Sequence, residues 1–343
     1  MEVFATMSER MRLAEVAEHA RRVEALGYDG LFVPDAVHDG LLLAQAALAA
    51  TDRLKVTTSV LVVFPRSPMV VAHAAWDLQD LSHGRFELGM GSQVRGNIVG
   101  RYSTPWTPPI PRMREYVQAL RAIFDCWQNG AKLAFEGESY RFTRMQPFFN
   151  PGPVEGGPPA LLMGGVGPRM TALAGEVADG LMTHPTNSSA RYLREVVLPK
   201  VSEGAAVSGR AAGACRIMAA GFVATGIDEA AVAAKREWAR ELLTFLYSTP
   251  SYWPSLDLFG HREVGEALHA KTREGDWDGM KGLVTDAMLD AFVPSAPYDE
   301  IAAKLLADYE GIATRITFPV PDDPADDDAT RAVIEALRVG SGA

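Results

Sequence analysis

Short apolar runs alternate with longer amphipathic stretches along most of the chain, and this alternation constrains the fold more than any other feature. The first apolar run covers residues 3–6. Residues 9–26 follow it with apolar side chains at helical spacing, and Gly27 ends that pattern. Residues 28–33 form the next apolar run. Repeated units of this kind predict parallel strands covered by helices.

The same reading along the chain predicts eight strands. They fall at residues 3–6, 28–33, 55–62, 85–91, 160–165, 179–184, 215–224 and 314–318. The run at 55–62 is too continuously apolar to have a solvated face, so we expect it inside the sheet. Eight strands alternating with helices favour a (β/α)8 TIM barrel over a doubly wound sheet. The predicted fold class is therefore α/β.

Three stretches interrupt the pattern, after the fourth and seventh strands. Residues 92–110 are rich in proline and are predicted to form a long loop, before a helix at 112–127. Residues 131–159 include a small hairpin around Gly137, and residues 250–293 are amphipathic and helical without strands. We interpret all three as insertions in one domain spanning 1–343, although the length alone would also allow two domains.

Composition excludes several classes of function. The net charge is -10 with no basic stripe, so no nucleic-acid partner is expected. No signal peptide or long apolar segment is visible, which predicts a cytoplasmic protein without a membrane partner. Cys126 and Cys215 lack the spacing of zinc or redox pairs and are expected to be buried thiols. No metal site is predicted.

In a barrel of this kind the active site lies where the strands end, so the residues that follow each strand are the candidates. Asp35 and His38 follow the second strand, and His184 follows the sixth. His38 next to Asp39 suggests an acid–base pair, with a surface histidine as the alternative. For His184 the alternative is core packing. The glycine run at 164–168 resembles a phosphate-holding turn, but a strand-to-helix turn also needs small residues.

Several catalytic motifs are missing from the sequence. There is no HExxH, GxSxG or P-loop, and no GxGxxG follows the first strand. A barrel with one anion-binding turn and few ionisable groups suits an enzyme whose cofactor carries the chemistry.

Five segments together resemble a known family over almost the whole chain. They are EALGYDGLFVPD at 24–35, TSVLVVFPRSPM at 58–69, AWDLQDLSHGRFELGMGSQVRG at 75–96, PRMREYVQALRAIF at 111–124 and MGGVGPRMTALAGEVADGLMTHP at 163–185. The chain resembles the luciferase-like monooxygenase superfamily and, within it, the oxidoreductases that depend on the deazaflavin coenzyme F-420.

The resemblance implies a barrel that holds a flavin or deazaflavin at its strand ends. An irregular, often cis, peptide at the end of the third strand is then expected to support the ring. Asp35, or the loop through His38, is expected near the polar edge of the ring. The remaining residues implied to bind the cofactor are Ser59, Val60, Leu61, Gln93, Arg95, Asn97, Gly164, Gly165, Val166, Gly167, Pro168 and His184.

The chain departs from part of the family pattern. Some deazaflavin dehydrogenases carry His directly after the Asp of the second strand and Glu in the loop after the fourth, whereas this chain has Ala36 and Val94. The acid–base pair of the sugar-phosphate dehydrogenases is therefore not implied. His38 is the hypothetical proton donor instead, with Asp35 as the other candidate catalytic residue.

The resemblance implies hydride transfer between coenzyme F-420 and an organic substrate, with reduction of an activated C=C, C=N or carbonyl. An FMN-dependent monooxygenase and a catalytically inactive cofactor-binding homologue are the alternatives. A broad apolar mouth suggests a small-molecule or natural-product-like substrate, with Phe64, Tyr102, Trp106 and Trp253 as candidate wall residues. Core packing is the alternative for each of these aromatic side chains, and the more frequent one. A homodimer is expected through the helix carrying Leu78 and Leu81, although core packing explains that helix equally well.

Overall fold

A computed structural model describes residues 1–340, and in it eight parallel strands close into a barrel. The barrel strands are β1 (Glu2–Thr6), β2 (Gly30–Val33), β3 (Lys55–Thr58), β5 (Phe86–Gly91), β8 (Ala160–Gly164), β9 (Gly180–Met182), β10 (Arg216–Ala219) and β11 (Arg315–Thr317). A short strand, β4 (Leu61–Val62), continues β3 after a break. Pairing of β3 with β5 closes the ring. The predicted TIM barrel is confirmed.

Helices connect the strands and cover the outside of the barrel. They are α1 (Val16–Ala25), α2 (Gly40–Ala49), α3 (Pro68–Leu81), α4 (Arg95–Gly100), α5 (Pro109–Asn129), α6 (Pro168–Val177), α7 (Ala190–Tyr192), α8 (Leu198–Val207), α9 (Glu229–Tyr247), α10 (Pro254–Phe259), α11 (Arg262–Glu274), α12 (Asp286–Phe292), α13 (Tyr298–Tyr309) and α14 (Asp327–Gly340). One π-helical turn, Leu193–Val197, joins α7 to α8. Within the described residues, no helix has both the length and the apolar character needed to cross a membrane.

Several boundaries differ from the sequence prediction, among them the start of α1, which lies at Val16 rather than at residue 9. Residues 92–110 are not one long loop, because α4 forms inside them. Helix α5 begins at Pro109, earlier than expected, and prolines stand in its first turn, where a missing N–H breaks no helical hydrogen bond. The seventh strand is also shorter than predicted, since β10 ends at Ala219.

The second and third insertions keep the predicted character. In residues 131–159, β6 (Phe135–Glu136) and β7 (Arg141–Phe142) pair as an antiparallel hairpin. Residues 250–293 contain α10, α11 and α12 but no strand. Their apolar side chains form a separate hydrophobic cluster with α9, which includes Leu243, Leu256 and Met288. The single-domain organisation stays a prediction.

The inside of the barrel holds a small apolar cluster above a buried ion-pair network. The cluster consists of Phe4, Phe32, Leu162, Met182 and Met218. At the start of the strands, Arg315 donates hydrogen bonds to Glu87 at 2.6 and 3.1 Å and to Glu2 at 2.7 Å. Its guanidinium lies 3.7 Å from the centroid of the Phe4 ring. This network closes the barrel at the end opposite the predicted active site.

Candidate active site

The third barrel strand is broken where the resemblance implies an irregular peptide. Strand β3 ends at Thr58 and β4 starts at Leu61, and the peptide bond between Ser59 and Val60 is cis. The hydroxyl of Thr58 donates to the carbonyl of Gly89 and accepts from its N–H, at 2.8 and 3.0 Å. The predicted position of the cis bond is confirmed. Its contact with a cofactor stays a prediction.

Val60 packs against two glycines at the ends of neighbouring strands. A Cβ atom added to Gly91 would lie 2.4 Å from Cγ2 of Val60, and one added to Gly164 would lie 3.0 Å from Cγ1. Both glycines therefore leave room for this side chain. Val60 is half-buried and packs on the apolar cluster inside the barrel. We call Val60, Gly91 and Gly164 the valine floor.

Asp35 lies beside this floor with both carboxylate oxygens engaged. It accepts hydrogen bonds from the N–H groups of Gly40 at 3.0 Å and Val62 at 2.9 Å. Arg66 donates two more, at 2.7 and 3.3 Å. The carboxylate thus ties the loop after β2 to the segment after the cis bond. Sequence reasoning missed Arg66, which lies 31 residues from Asp35.

His38 lies in the same loop, but it is not paired with Asp39. One oxygen of Asp39 accepts from the N–H groups of Leu41 and Leu42 and caps α2. The other accepts from Arg66 at 3.1 Å. The expected His38–Asp39 acid–base pair is therefore wrong. His38 is half-buried and has no hydrogen-bond partner among residues 1–340.

Gln93 and Asn97 lie together on the loop after β5 and the start of α4, whereas the side chain of Arg95 between them is exposed. The side-chain carbonyl of Gln93 accepts from the N–H of Val94 at 2.8 Å and from the amide of Asn97 at 3.2 Å. Gln93 adopts a φ of 58°, in the left-handed region.

At the other end of α4, Arg101 donates to the carbonyl of Ala36. This contact joins the loop after β5 to the loop after β2.

The predicted phosphate turn connects β8 to the N-terminus of α6. A Cβ atom at Gly167 would meet nothing within 4 Å, so the turn leaves open space before the helix. The side-chain amide of Asn187 donates to the carbonyls of Gly165 at 3.1 Å and Val166 at 3.3 Å. Its carbonyl accepts from the N–H of His184 at 2.7 Å. Asn187 was missed, although a run of small polar residues after the sixth strand was visible in the sequence.

His184 stacks on Tyr252, which comes from the insertion after α9. The two ring centroids lie 4.5 Å apart at an interplanar angle of 3°. Nδ1 of His184 lies 2.9 Å from the hydroxyl of Thr186 and accepts from its N–H at 3.4 Å. Burial lowers the pKa of His184 to about 4, so the ring is neutral at pH 7. Sequence reasoning did not identify Tyr252.

Two of the four predicted aromatic wall residues belong to the core instead. Phe64 is 2% exposed and Trp253 is 8% exposed. Trp253 donates to the carbonyl of Tyr247 at 2.7 Å. Tyr102 and Trp106 are half-buried. Among residues 1–340, no three His, Cys, Asp or Glu side chains are grouped so that they could hold a metal ion.

The family model for luciferase-like monooxygenases matches residues 2–315. The chain belongs to this family. An uncharacterized protein of Mycobacterium tuberculosis is 42% identical over 305 residues, which is 89% of each chain. The 5,10-methylenetetrahydromethanopterin reductase of Archaeoglobus fulgidus is 26% identical over 307 residues, 86% of each.

Solved structures of luciferase-like proteins share the fold. The coenzyme F-420-dependent tetrahydromethanopterin reductase of Methanopyrus kandleri superimposes with a TM-score of 0.79 over 99% of both chains, at 19% identity. At that identity the likeness shows the barrel and its helices alone. The relatives support an enzyme of this family, and homologues of the F-420-dependent branch are among them.

Proposed function

We propose that this luciferase-like protein transfers a hydride between the deazaflavin coenzyme F-420 and an organic substrate, reducing an activated C=C, C=N or carbonyl group. The observation that carries the proposal is the valine floor beside the open glycine turn. Val60 has space only because Gly91 and Gly164 carry no side chain. The F-420-dependent relatives then favour a deazaflavin over FMN.

The residues at the mouth fit such a cofactor. An apolar face suits a ring system, and the valine floor supplies one. The N-terminus of α6, ten residues long, attracts a negative group, and Gly167 leaves room for it. Asn187 holds the carbonyls of Gly165 and Val166, which keeps the turn in one conformation.

In the proposed reaction the protein binds and orients the cofactor and the substrate, and it supplies a proton. A bound deazaflavin would supply the hydride donor or acceptor. Asp35 and Arg66 hold the loop that carries His38. His38 is the proposed proton donor to the substrate atom that becomes an anion on hydride addition. Arg101 fixes the neighbouring backbone through the carbonyl of Ala36.

The first experiment is a fluorescence titration of the purified protein with oxidised F-420 and, separately, with FMN. We expect F-420 to bind at micromolar concentration or below and FMN to bind at least tenfold more weakly. Gly167→Glu should weaken F-420 binding at least tenfold, because a carboxylate would repel the phosphate of the cofactor. Gly213→Glu is the matched control, since a Cβ there also meets nothing within 4 Å, but Gly213 precedes β10 at the opposite end of the barrel.

The outcome separates the alternatives. Preference for FMN would make the protein a candidate monooxygenase, to be followed by oxygen consumption. Binding of neither cofactor would favour the inactive homologue. If His38→Ala keeps full turnover with F-420 bound, His38 is not the proton donor.

We also propose a homodimer. Leu78 is 6% exposed and packs in the core, so it does not contribute to such a contact, whereas Leu81 is 45% exposed. Sedimentation of the protein and of Leu81→Asp tests this.

A further inference from the structure

Three neighbouring strands of the barrel are followed by segments without charged side chains. The segments after β9, β10 and β11 are residues 183–189, 220–226 and 318–321, and none contains Asp, Glu, Lys or Arg. We call these three segments the uncharged sector. The mouth differs after β2 and β4, where Arg66 is paired with both Asp35 and Asp39.

His184 belongs to the uncharged sector, and Tyr252 stacks on it from the insertion at 250–293. Both residues are half-buried. Nδ1 of His184 lies 2.9 Å from the hydroxyl of Thr186 and accepts the backbone N–H of Thr186 at 3.4 Å. In the tautomer that accepts this N–H, the neutral ring carries its proton on Nε2. Among the described residues, neither this Nε2–H nor the hydroxyl of Tyr252 has a protein partner.

The pair also lies next to the proposed cofactor turn. Asn187 connects His184 to this turn, because its side chain accepts from the N–H of His184 and donates to the carbonyls of Gly165 and Val166. The same loop is held from a second direction, because the hydroxyl of Tyr247 donates to the carbonyl of Thr186 at 3.2 Å. Hydrogen bonds of Asn187 and Tyr247 thus fix the loop that carries His184.

We infer that the substrate is an uncharged carbonyl or hydroxyl compound whose oxygen accepts a hydrogen bond from Nε2–H of His184, with its apolar part against Tyr252. This inference rests on the proposed function and specifies its substrate class. A carboxylate or phosphate beside the uncharged sector would lose water without gaining a counter-ion, which is costly. A neutral oxygen needs a hydrogen-bond donor but no counter-ion, and His184 supplies such a donor. This assigns His184 to the substrate, whereas the family resemblance assigned it to the cofactor.

The test uses the full chain saturated with oxidised F-420 and matched pairs of probes. Each pair consists of an aromatic aldehyde or enone as its methyl ester and as its free carboxylate, such as methyl 4-formylbenzoate and 4-formylbenzoate. Binding is measured by titration calorimetry and by saturation-transfer NMR at pH 7. We expect esters to bind at least tenfold more tightly than their carboxylates.

Two variants connect this preference to the stacked pair. His184→Phe keeps an aromatic ring for stacking but removes the Nε2–H, and it should weaken ester binding at least fivefold under F-420 saturation. His73→Phe is the matched control, because His73 also lies against an aromatic ring, that of Trp127 at 4.9 Å, but on the exposed side of α3. It should leave ester binding unchanged.

Different results would overturn the substrate inference and the proposed function. Equal or tighter binding of the carboxylates, no binding of any ester, or unchanged ester binding in His184→Phe would each overturn this inference. Failure of the unaltered protein to bind F-420 in the preceding titration would instead overturn the proposed function.

Discussion

Arg315 donates two hydrogen bonds to Glu87 inside the barrel, from the start of β11 to the start of β5. The two residues are 228 positions apart in the chain. Glu87 also accepts from the hydroxyl of Thr57 at 2.6 Å. Arg315 is 1% exposed, so the pair is removed from water almost completely. At this end of a TIM barrel such a network serves stability rather than catalysis.

Removal of the Glu87 charge should therefore destabilise the protein without reaching the active site. In Glu87→Gln the buried guanidinium of Arg315 loses one of its two negatively charged partners. We therefore expect the free energy of unfolding to fall by about 3 kcal/mol. Urea denaturation followed by circular dichroism measures this. The matched control is Glu136→Gln, which loses an exposed pair with Arg141 and should cost less than about 1 kcal/mol. Equal losses in the two variants would contradict the assigned role.

The same network makes stability depend on acidity. Burial raises the pKa of Glu87, but the charge and hydrogen bonds of Arg315 outweigh burial and leave that pKa below its ordinary value of 4.5. The pKa of Glu2 is lowered in the same way. The unfolded chain then takes up protons before the folded protein does, so stability is complete above pH 4.5 and falls as the pH drops below it. Urea midpoints between about pH 5 and pH 3 should fall less steeply for Glu87→Gln. Parallel curves would contradict this.

The valine floor should not tolerate a methyl group at Gly91. In Gly91→Ala the new Cβ would lie 2.4 Å from Cγ2 of Val60, so Val60 must move. Overpacking of this kind costs about 1–3 kcal/mol in stability. We expect F-420 affinity to fall at least tenfold in the fluorescence titration. Gly213→Ala, in open space at the other end of the barrel, should bind F-420 as the unaltered protein does. Normal affinity in Gly91→Ala would show that Val60 does not contact the cofactor.

His184 should remain neutral to unusually low pH. Burial lowers its pKa from 6.5 to about 4. The unfolded chain protonates this residue first as the pH falls, so its contribution to stability is complete above pH 6.5 and is lost towards pH 4. The gap corresponds to roughly 3 kcal/mol. NMR of nitrogen-15-labelled histidine, assigned with His184→Phe, should give a midpoint near 4. A midpoint near 6.5 would mean that the ring is open to water.

The periodicity of the sequence is sufficient to predict the strands and helices of the barrel, because both patterns are set by residues close together in the chain. Strands β1 and β5 lie within a residue of their predicted bounds. The cis bond at Ser59 was accessible only through the family resemblance. Contacts between residues far apart in the chain could not be predicted from the sequence. Nothing near Asp35 in the chain indicates Arg66, and nothing near His184 indicates Tyr252, because barrel closure brings these residues together.

The stack of Tyr252 on His184 has a consequence for how such a protein can diversify. The valine floor and the glycine turn are built by residues 60–168, whereas Tyr252 belongs to the contiguous stretch 250–293, which has its own hydrophobic cluster. With the substrate placed against Tyr252 as inferred, mutations in that stretch would change which substrate is accepted and leave the proposed cofactor site intact. The barrel would thus keep one cofactor and acquire new substrates by exchange of a single stretch of chain.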